Sequence, residues 1–265
     1  MHLQSYLKTK KERGEKILSI YLTAGYKSPD YTLPLLHAIA EAGADLIELG
    51  IPFSDPLADG AVIQAASHEA LLAGASLSSA IETARAFSSA HTTQLLLMGY
   101  VNPFMKFGWD RLVSATSDAG VSGFIIPDLP PEECQDLQAK LKAAGQSLIY
   151  LATPHSTDER IRLMDERSDS FIYAVSVAGV TGTRSELPAA SYDFLRRLRQ
   201  QTNHPFLVGF GVSNAETAKT LGRLSDGVII GSAIIKIVAA STSVDDACKK
   251  VRQFILEIKR ALQEG

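Results

Sequence analysis

Eight short apolar runs, each followed by a stretch with helical spacing, constrain this chain more than any other feature of its sequence. The runs are Ile17–Leu22, Leu46–Leu49, Gln94–Met98, Gly123–Ile126, Ser147–Leu151, Phe171–Val175, Phe206–Val208 and Gly227–Ile230. None alternates cleanly between polar and apolar residues, which is the pattern of parallel strands covered on both faces. Between them, helical spacing predicts helices over Tyr31–Ala42, Trp109–Asp118, Glu132–Ala144, Asp158–Glu166, Tyr192–Gln201 and Ala215–Leu221. Ser28-Pro29, Pro130-Pro131 and Ser213-Asn214 supply helix starts, and Gly43, Gly120 and Gly145 supply stops. Additional helices are expected around Leu3–Arg13, Ser78–Ser88 and Ser232–Ala239.

Strict βα alternation implies a parallel sheet. An open doubly wound sheet has the same alternation, but eight units favour closure. The 265 residues also match the roughly 250 that an eight-fold α/β barrel needs. The expectation is one (β/α)8 barrel of the TIM type spanning residues 1–265, with no linker or second domain.

Glycines gather after the last three of these strands, in Gly179-Val180-Thr181-Gly182, in Gly209-Phe210-Gly211-Val212-Ser213, and in Gly231-Ser232 at the head of the short extra helix. Glycine lets backbone approach an anion, and a helix N-terminus offers unpaired N–H donors with a favourable dipole. Barrels commonly bind phosphate at this position, so a phosphorylated small molecule is the expected ligand. The fold leaves the chemistry open.

Carboxylates are the candidates for that chemistry. Glu48 lies near the end of an otherwise apolar strand, where burial raises a carboxyl pKa toward the range useful for proton transfer near neutrality. Asp55 and Asp59 follow in the next loop, in Asp-Pro and Asp-Gly contexts that also suit turns, and sequence logic alone does not choose between them.

Several alternatives fall away. No lysine sits at a strand end to form an imine. The six histidines have no metal-ligand spacing, and the glycine runs fit neither a Rossmann nor a Walker fingerprint. Cys134 and Cys248, each within an amphipathic helical pattern, form no recognisable disulfide or metal framework. A net charge of −3 argues against nucleic acid or anionic membranes as partners. Met1–Lys16 has no apolar signal core, and Gly227–Ala240 is too short to span a bilayer, so a cytoplasmic location is expected.

The run Glu48-Leu49-Gly50-Ile51-Pro52-Phe53-Ser54-Asp55-Pro56-Leu57-Ala58-Asp59-Gly60 closely resembles the signature of the tryptophan synthase α-subunit family. So do Tyr100-Val101-Asn102-Pro103, Pro127-Asp128-Leu129-Pro130, Gly179-Val180-Thr181-Gly182, Gly209-Phe210-Gly211-Val212-Ser213 and Gly231-Ser232-Ala233-Ile234, in the family's order. The resemblance implies retro-aldol cleavage of indole-3-glycerol phosphate to indole and glyceraldehyde 3-phosphate, a carbon–carbon lyase activity. Glu48 would be its acid/base and Asp59 the partner of the indole N–H. It further implies substrate contacts from Tyr21, Tyr100, Tyr173 and Thr181, and phosphate contacts from Gly182, Gly211, Gly231 and Ser232. Ala178–Leu187 matches the family's mobile loop, and Arg184 is similar to a loop arginine of many members. The family more often has Phe where this chain has Tyr21.

No cofactor is expected in the chain itself. The implied partner is a pyridoxal-phosphate β subunit in an α2β2 heterotetramer that consumes the indole to make tryptophan. It is expected to dock on Asp55 and on a loop Asn102–Phe107 that includes Asn102, Pro103 and Phe104. A regulatory α-like subunit with reduced cleavage that mainly activates its partner is the alternative reading.

Overall fold

The apolar runs close on themselves. In a computed structural model describing residues 2–175, 189–209 and 211–264, they form β1 (Ile17–Thr23), β2 (Leu46–Gly50), β3 (Gln94–Met98), β4 (Gly123–Ile125), β5 (Ser147–Ala152), β6 (Ile172–Val175), β7 (Phe206–Gly209) and β8 (Gly227–Ile230). All pairings are parallel and follow sequence order, and β8 pairs back onto β1 to make a closed barrel. The open-sheet alternative is thereby excluded. Every residue of β1, β2 and β3 is buried, because the barrel interior covers one face of each strand and helices cover the other.

The helices are α1 (Leu3–Glu12), α2 (Pro29–Glu41), α3 (Ala61–Leu72), α4 (Leu77–Ser88), α5 (Val101–Phe107), α6 (Trp109–Asp118), α7 (Gln135–Ala143), α8 (Asp158–Arg167), α9 (Ala189–Gln201), α10 (Ala215–Leu224), α11 (Ser232–Ala239) and α12 (Val244–Gln263). Several begin and end as the sequence predicts. Ser28 caps α2 by accepting from the Asp30 N–H, and Asn214 caps α10 by accepting from Thr217. Gly43, Gly120 and Gly145 take positive φ just past α2, α6 and α7.

Two expectations are corrected. The predicted helix Glu132–Ala144 is a 3₁₀ turn at Pro131–Glu133 followed by α7, with the break at Cys134. Cys134 takes φ −109°, ψ 9° there, and its thiol donates to the Pro131 carbonyl at 3.2 Å. The expected loop Asn102–Phe107 is helical, as α5. Asn-Pro reads as a turn in sequence, but Pro103 falls in the first helical turn, where a missing N–H costs nothing. The Asp128 carboxylate accepts the Val101 N–H and satisfies the helix start, and Gly108 at φ 89° ends it.

One end of the barrel is closed by α1. Leu3 and Leu7 are buried, and Lys11 donates to the Asn203 carbonyl just before β7. Asp45, the residue before β2, ties this end together. It accepts from the Tyr6 hydroxyl (2.6 Å) and the Leu18 N–H (2.9 Å), and it pairs with Lys10 (3.0 Å). Asp45→Ala leaves a buried N–H and a half-buried hydroxyl without an acceptor, and should lower stability by about 3 kcal/mol. Urea unfolding measures it, and a loss below about 1 kcal/mol would show that this network does not hold α1 to the barrel.

Candidate active site

The opposite end, at the C-terminal tips of the strands, carries the two carboxylates. Glu48 is fully buried on β2, opposite Tyr21 on β1 and Leu96 on β3. Its Oε1 accepts a hydrogen bond from the Ser19 hydroxyl at 2.7 Å, while its Oε2 is buried with no partner among the described residues. Burial pushes its pKa up to about 7, and the Ser19 bond, which favours the charged form, only partly opposes this.

Asp59 lies in the loop between β2 and α3 and is half-buried. Its Oδ2 accepts from the Tyr100 hydroxyl at 3.0 Å, and that same hydroxyl accepts the Ala58 N–H at 2.9 Å. The Tyr100 ring stacks on Phe53, with centroids 5.3 Å apart and planes inclined by 29°. One side chain from the end of β3 therefore fixes both the backbone and the carboxylate of the Asp59 loop. Burial raises the Asp59 pKa to about 6, against the lowering effect of the Tyr100 bond.

Tyr21 and Tyr173 complete the chamber, both buried. Each occupies a gap left by a glycine on the neighbouring strand. A Cβ at Gly50 would lie 2.1 Å from the Tyr21 hydroxyl, and one at Gly209 would lie 2.3 Å from the Tyr173 ring. Gly209, which the sequence groups with the phosphate glycines, thus makes room for an aromatic ring. Burial first, then the charges of Glu48 and Asp59, raise the Tyr173 hydroxyl well above its ordinary value. Asp59 and Glu48 act on Tyr21 in the same direction, again after burial.

Among the described phosphate candidates, Gly211 follows β7 at φ +84°, in the left-handed region that favours glycine. Gly231 is the N-cap of α11, and Ser232 its first residue. The Gly231 Cα sits against the chamber, because a Cβ there would lie 3.3 Å from Tyr21 Cβ and 3.4 Å from Ile63 Cδ1. Thr181, Gly182, Arg184 and the whole 178–187 loop lie outside the described residues.

Of the expected partner-face residues, Asp55 and Asn102 are exposed and Pro103 is half-buried. Phe104 is a correction. It is fully buried, edge-on to Phe124 with centroids 5.6 Å apart, because α5 turns it into the core. The exposed apolar side chains nearby are Leu57 (91%) and Met105 (57%). No group of three or more metal-ligating side chains occurs among the described residues, and none of their helices is long and apolar enough to cross a membrane.

The profile of the family described as tryptophan synthase alpha chain matches residues 7–263. The chain belongs to that family. It is 43% identical to the tryptophan synthase alpha chain of Dehalococcoides mccartyi over 247 residues, which covers 93% of this chain and 95% of that relative. The crystal structure of tryptophan synthase subunit alpha from Legionella pneumophila superposes with a TM-score of 0.91 at 32% identity, covering all of both chains. A Pyrococcus furiosus structure described as showing mutual activation of the tryptophan synthase α2β2 complex matches with TM-score 0.86 at 35% identity, over 92% of this chain and 97% of that one. Membership in the tryptophan synthase alpha chain family accords with the long acidic signature that carries both Glu48 and Asp59.

Sequence reasoning missed Ser19, and it placed Gly50 and Gly209 in motifs without their role in seating the tyrosines. A serine inside an apolar run has no motif of its own, and the roles of all three appear only once register sets them beside Glu48, Tyr21 and Tyr173.

The raised Glu48 pKa has a consequence for stability. The folded chain binds this proton more tightly than the unfolded chain does, so the stabilisation is complete below the ordinary carboxylate range and is lost as pH rises through about 7. Glu48→Gln cannot ionise and escapes that loss. The unfolding free energy of the variant relative to the native chain should therefore increase between about pH 5 and about pH 8, by up to about 3 kcal/mol. A difference that stays flat across this range would mean that Glu48 titrates alike in both states.

Proposed function

We propose that Glu48 and Asp59 together carry the cleavage of indole-3-glycerol phosphate to indole and glyceraldehyde 3-phosphate in this chain. The observation that carries the reading is two carboxylates at one mouth in unlike environments. Glu48 sits near neutrality with a bare oxygen, while Asp59 is held by Tyr100 and more readily stays charged. Pairs of carboxyls whose environments differ are suited to divided acid and charge-stabilising roles.

In this reading, protonated Glu48 gives its proton to the indole carbon that bears the side chain. The ring becomes cationic, and Asp59 accepts the N–H and stabilises that charge. Glu48, now a carboxylate, takes the proton of the adjacent glycerol hydroxyl. The oxygen's electron pair forms the aldehyde, the carbon–carbon bond breaks, and its electrons return to the ring. Glu48 ends as it began. The protonated ring is the electron sink, so the step calls on no coenzyme in this chain. Tyr21, Tyr100 and Tyr173 form walls for the indole, with Gly211, Gly231 and Ser232 at the phosphate, joined by Thr181 and Gly182.

The reading extends to the assembly. Asp55, Asn102 and Pro103, together with exposed Leu57 and Met105, are offered as the face for a β subunit that holds pyridoxal phosphate in an α2β2 heterotetramer. Contacts on the Asp55 loop bear directly on Asp59, four residues on, and by linkage substrate and partner would each tighten the other. The chain is read as one barrel domain over 1–265 in the cytoplasm, where its unpaired Cys134 and Cys248 remain reduced.

Indole release by the purified chain, alone and with the β subunit, tests this directly. Because Asp59 must be charged and Glu48 protonated, kcat/KM should fall below about pH 6 and above about pH 7. Glu48→Gln and Asp59→Asn should each remove most activity. Retention of more than about a tenth of kcat by Glu48→Gln, a loss of only about 1.4 kcal/mol, would take it out of the acid/base role.

The anion site is tested separately. Gly231→Val presses a branched carbon against Tyr21 and Ile63, which shifts the backbone expected to hold the phosphate, and should raise the substrate KM about tenfold or more. Inorganic phosphate should compete with substrate in the native chain, and failure to compete even at high millimolar levels would remove the phosphate assignment.

A further inference from the structure

Ser19 is fully buried in β1, and among the described residues its hydroxyl makes one hydrogen bond, at 2.7 Å to Glu48 Oε1. Its Cα pairs with Leu46, two residues before Glu48, so the bond runs diagonally across the β1–β2 ladder inside the barrel. Glu48 Oε2 is buried and has no partner among the described residues. We propose that Ser19 is a positioning residue that fixes the Glu48 carboxyl in one orientation and assigns its transferable proton to Oε2.

A serine hydroxyl that donates to Oε1 stabilises that oxygen as the carbonyl-type acceptor, and a proton on Oε1 would weaken its acceptance. The carboxyl proton is thereby directed to Oε2, the oxygen left for a substrate. A carboxyl held by one oxygen also cannot swing freely about its last torsion, and proton transfer is sensitive to small misplacements. Removing the hydroxyl leaves both oxygens equivalent and the side chain loose.

Among the described residues, no other hydrogen-bond donor to Glu48 occurs. From β1 comes Tyr21, whose hydroxyl accepts from Thr23 at 3.3 Å, and from β6 comes Tyr173. From β3 the facing residue is Leu96, which carries no polar group. Asp59 acts on both tyrosines and is itself held by Tyr100. Ser19 is the donor to Glu48 among the described residues. Because that bond favours the charged form, its loss moves the Glu48 titration upward, adding to the effect of burial.

This inference rests on Glu48 being the proton carrier, so its test includes a readout independent of turnover. The δ-carbon of Glu48 is followed by carbon NMR against pH in the chain with labelled glutamate, its signal assigned by its disappearance in Glu48→Gln. In Ser19→Ala the midpoint should rise by about one unit, the scale of one hydrogen bond to a charged group. The high-pH limb of kcat/KM should move upward with it, and kcat should fall about tenfold while KM changes less than about twofold. Ser19→Thr keeps the hydroxyl and should restore both midpoint and kcat. An unmoved midpoint in a folded Ser19→Ala chain overturns the proposal, and so does equal impairment by Ala and Thr, which marks a packing role. If the midpoint moves but the native chain releases no indole, the positioning stands and the proposed cleavage falls.

Discussion

A carboxylate in a closed barrel of parallel strands is the constraint around which this mouth is organised. Closure removes sheet edges and water together, so Glu48 meets neither solvent nor, among the described residues, a cation. Charge is expensive there, and the group holds its proton to near neutrality as a result. The rest of the chamber follows from keeping that one group dry and directed. Aromatic walls exclude water, glycines make space for the walls, and a single hydroxyl orients the carboxyl.

The same strand carries the opposite solution three residues earlier. Asp45 is also buried, but it receives a tyrosine hydroxyl, a backbone N–H and an ammonium group at one end of β2. Glu48, within β2, receives one hydroxyl. A well-supplied carboxylate locks helix α1 to the barrel, while a poorly supplied one keeps a proton available for transfer. Three residues of one segment thus separate stability from reactivity, as barrel enzymes divide them generally between their faces.

Much of this was legible in the sequence, and the limits have physical causes. The strands could be read because parallel strands buried on both faces appear as unbroken apolar runs, and β3 and β8 match those runs residue for residue. Glu48 could be read because a charge inside such a run demands an explanation. Helix α5 could not, since seven residues opening on Asn-Pro carry too little periodicity to outweigh a turn signal, and its start depends on a distant Asp128. Phe104 was misjudged for the same reason, because a residue assigned to a loop has no face to turn inward. Tyr100 entered as a substrate contact implied by the resemblance, while its hydroxyl bonds to Asp59 and Ala58 depend on a loop geometry that no local pattern encodes.

The two ring-over-glycine contacts bear on how this mouth can diversify. Gly50 with Tyr21, and Gly209 with Tyr173, are each a volume shared between adjacent strands, so neither member can be exchanged alone without collision or void. Libraries that randomise the tyrosines one at a time sample only smaller side chains against a fixed gap. Doubly randomised libraries that trade a methyl at the glycine for a shorter ring partner keep the total volume, and so reach differently shaped chambers on an unchanged barrel. In such a search, the productive unit of variation is the pair across the ladder.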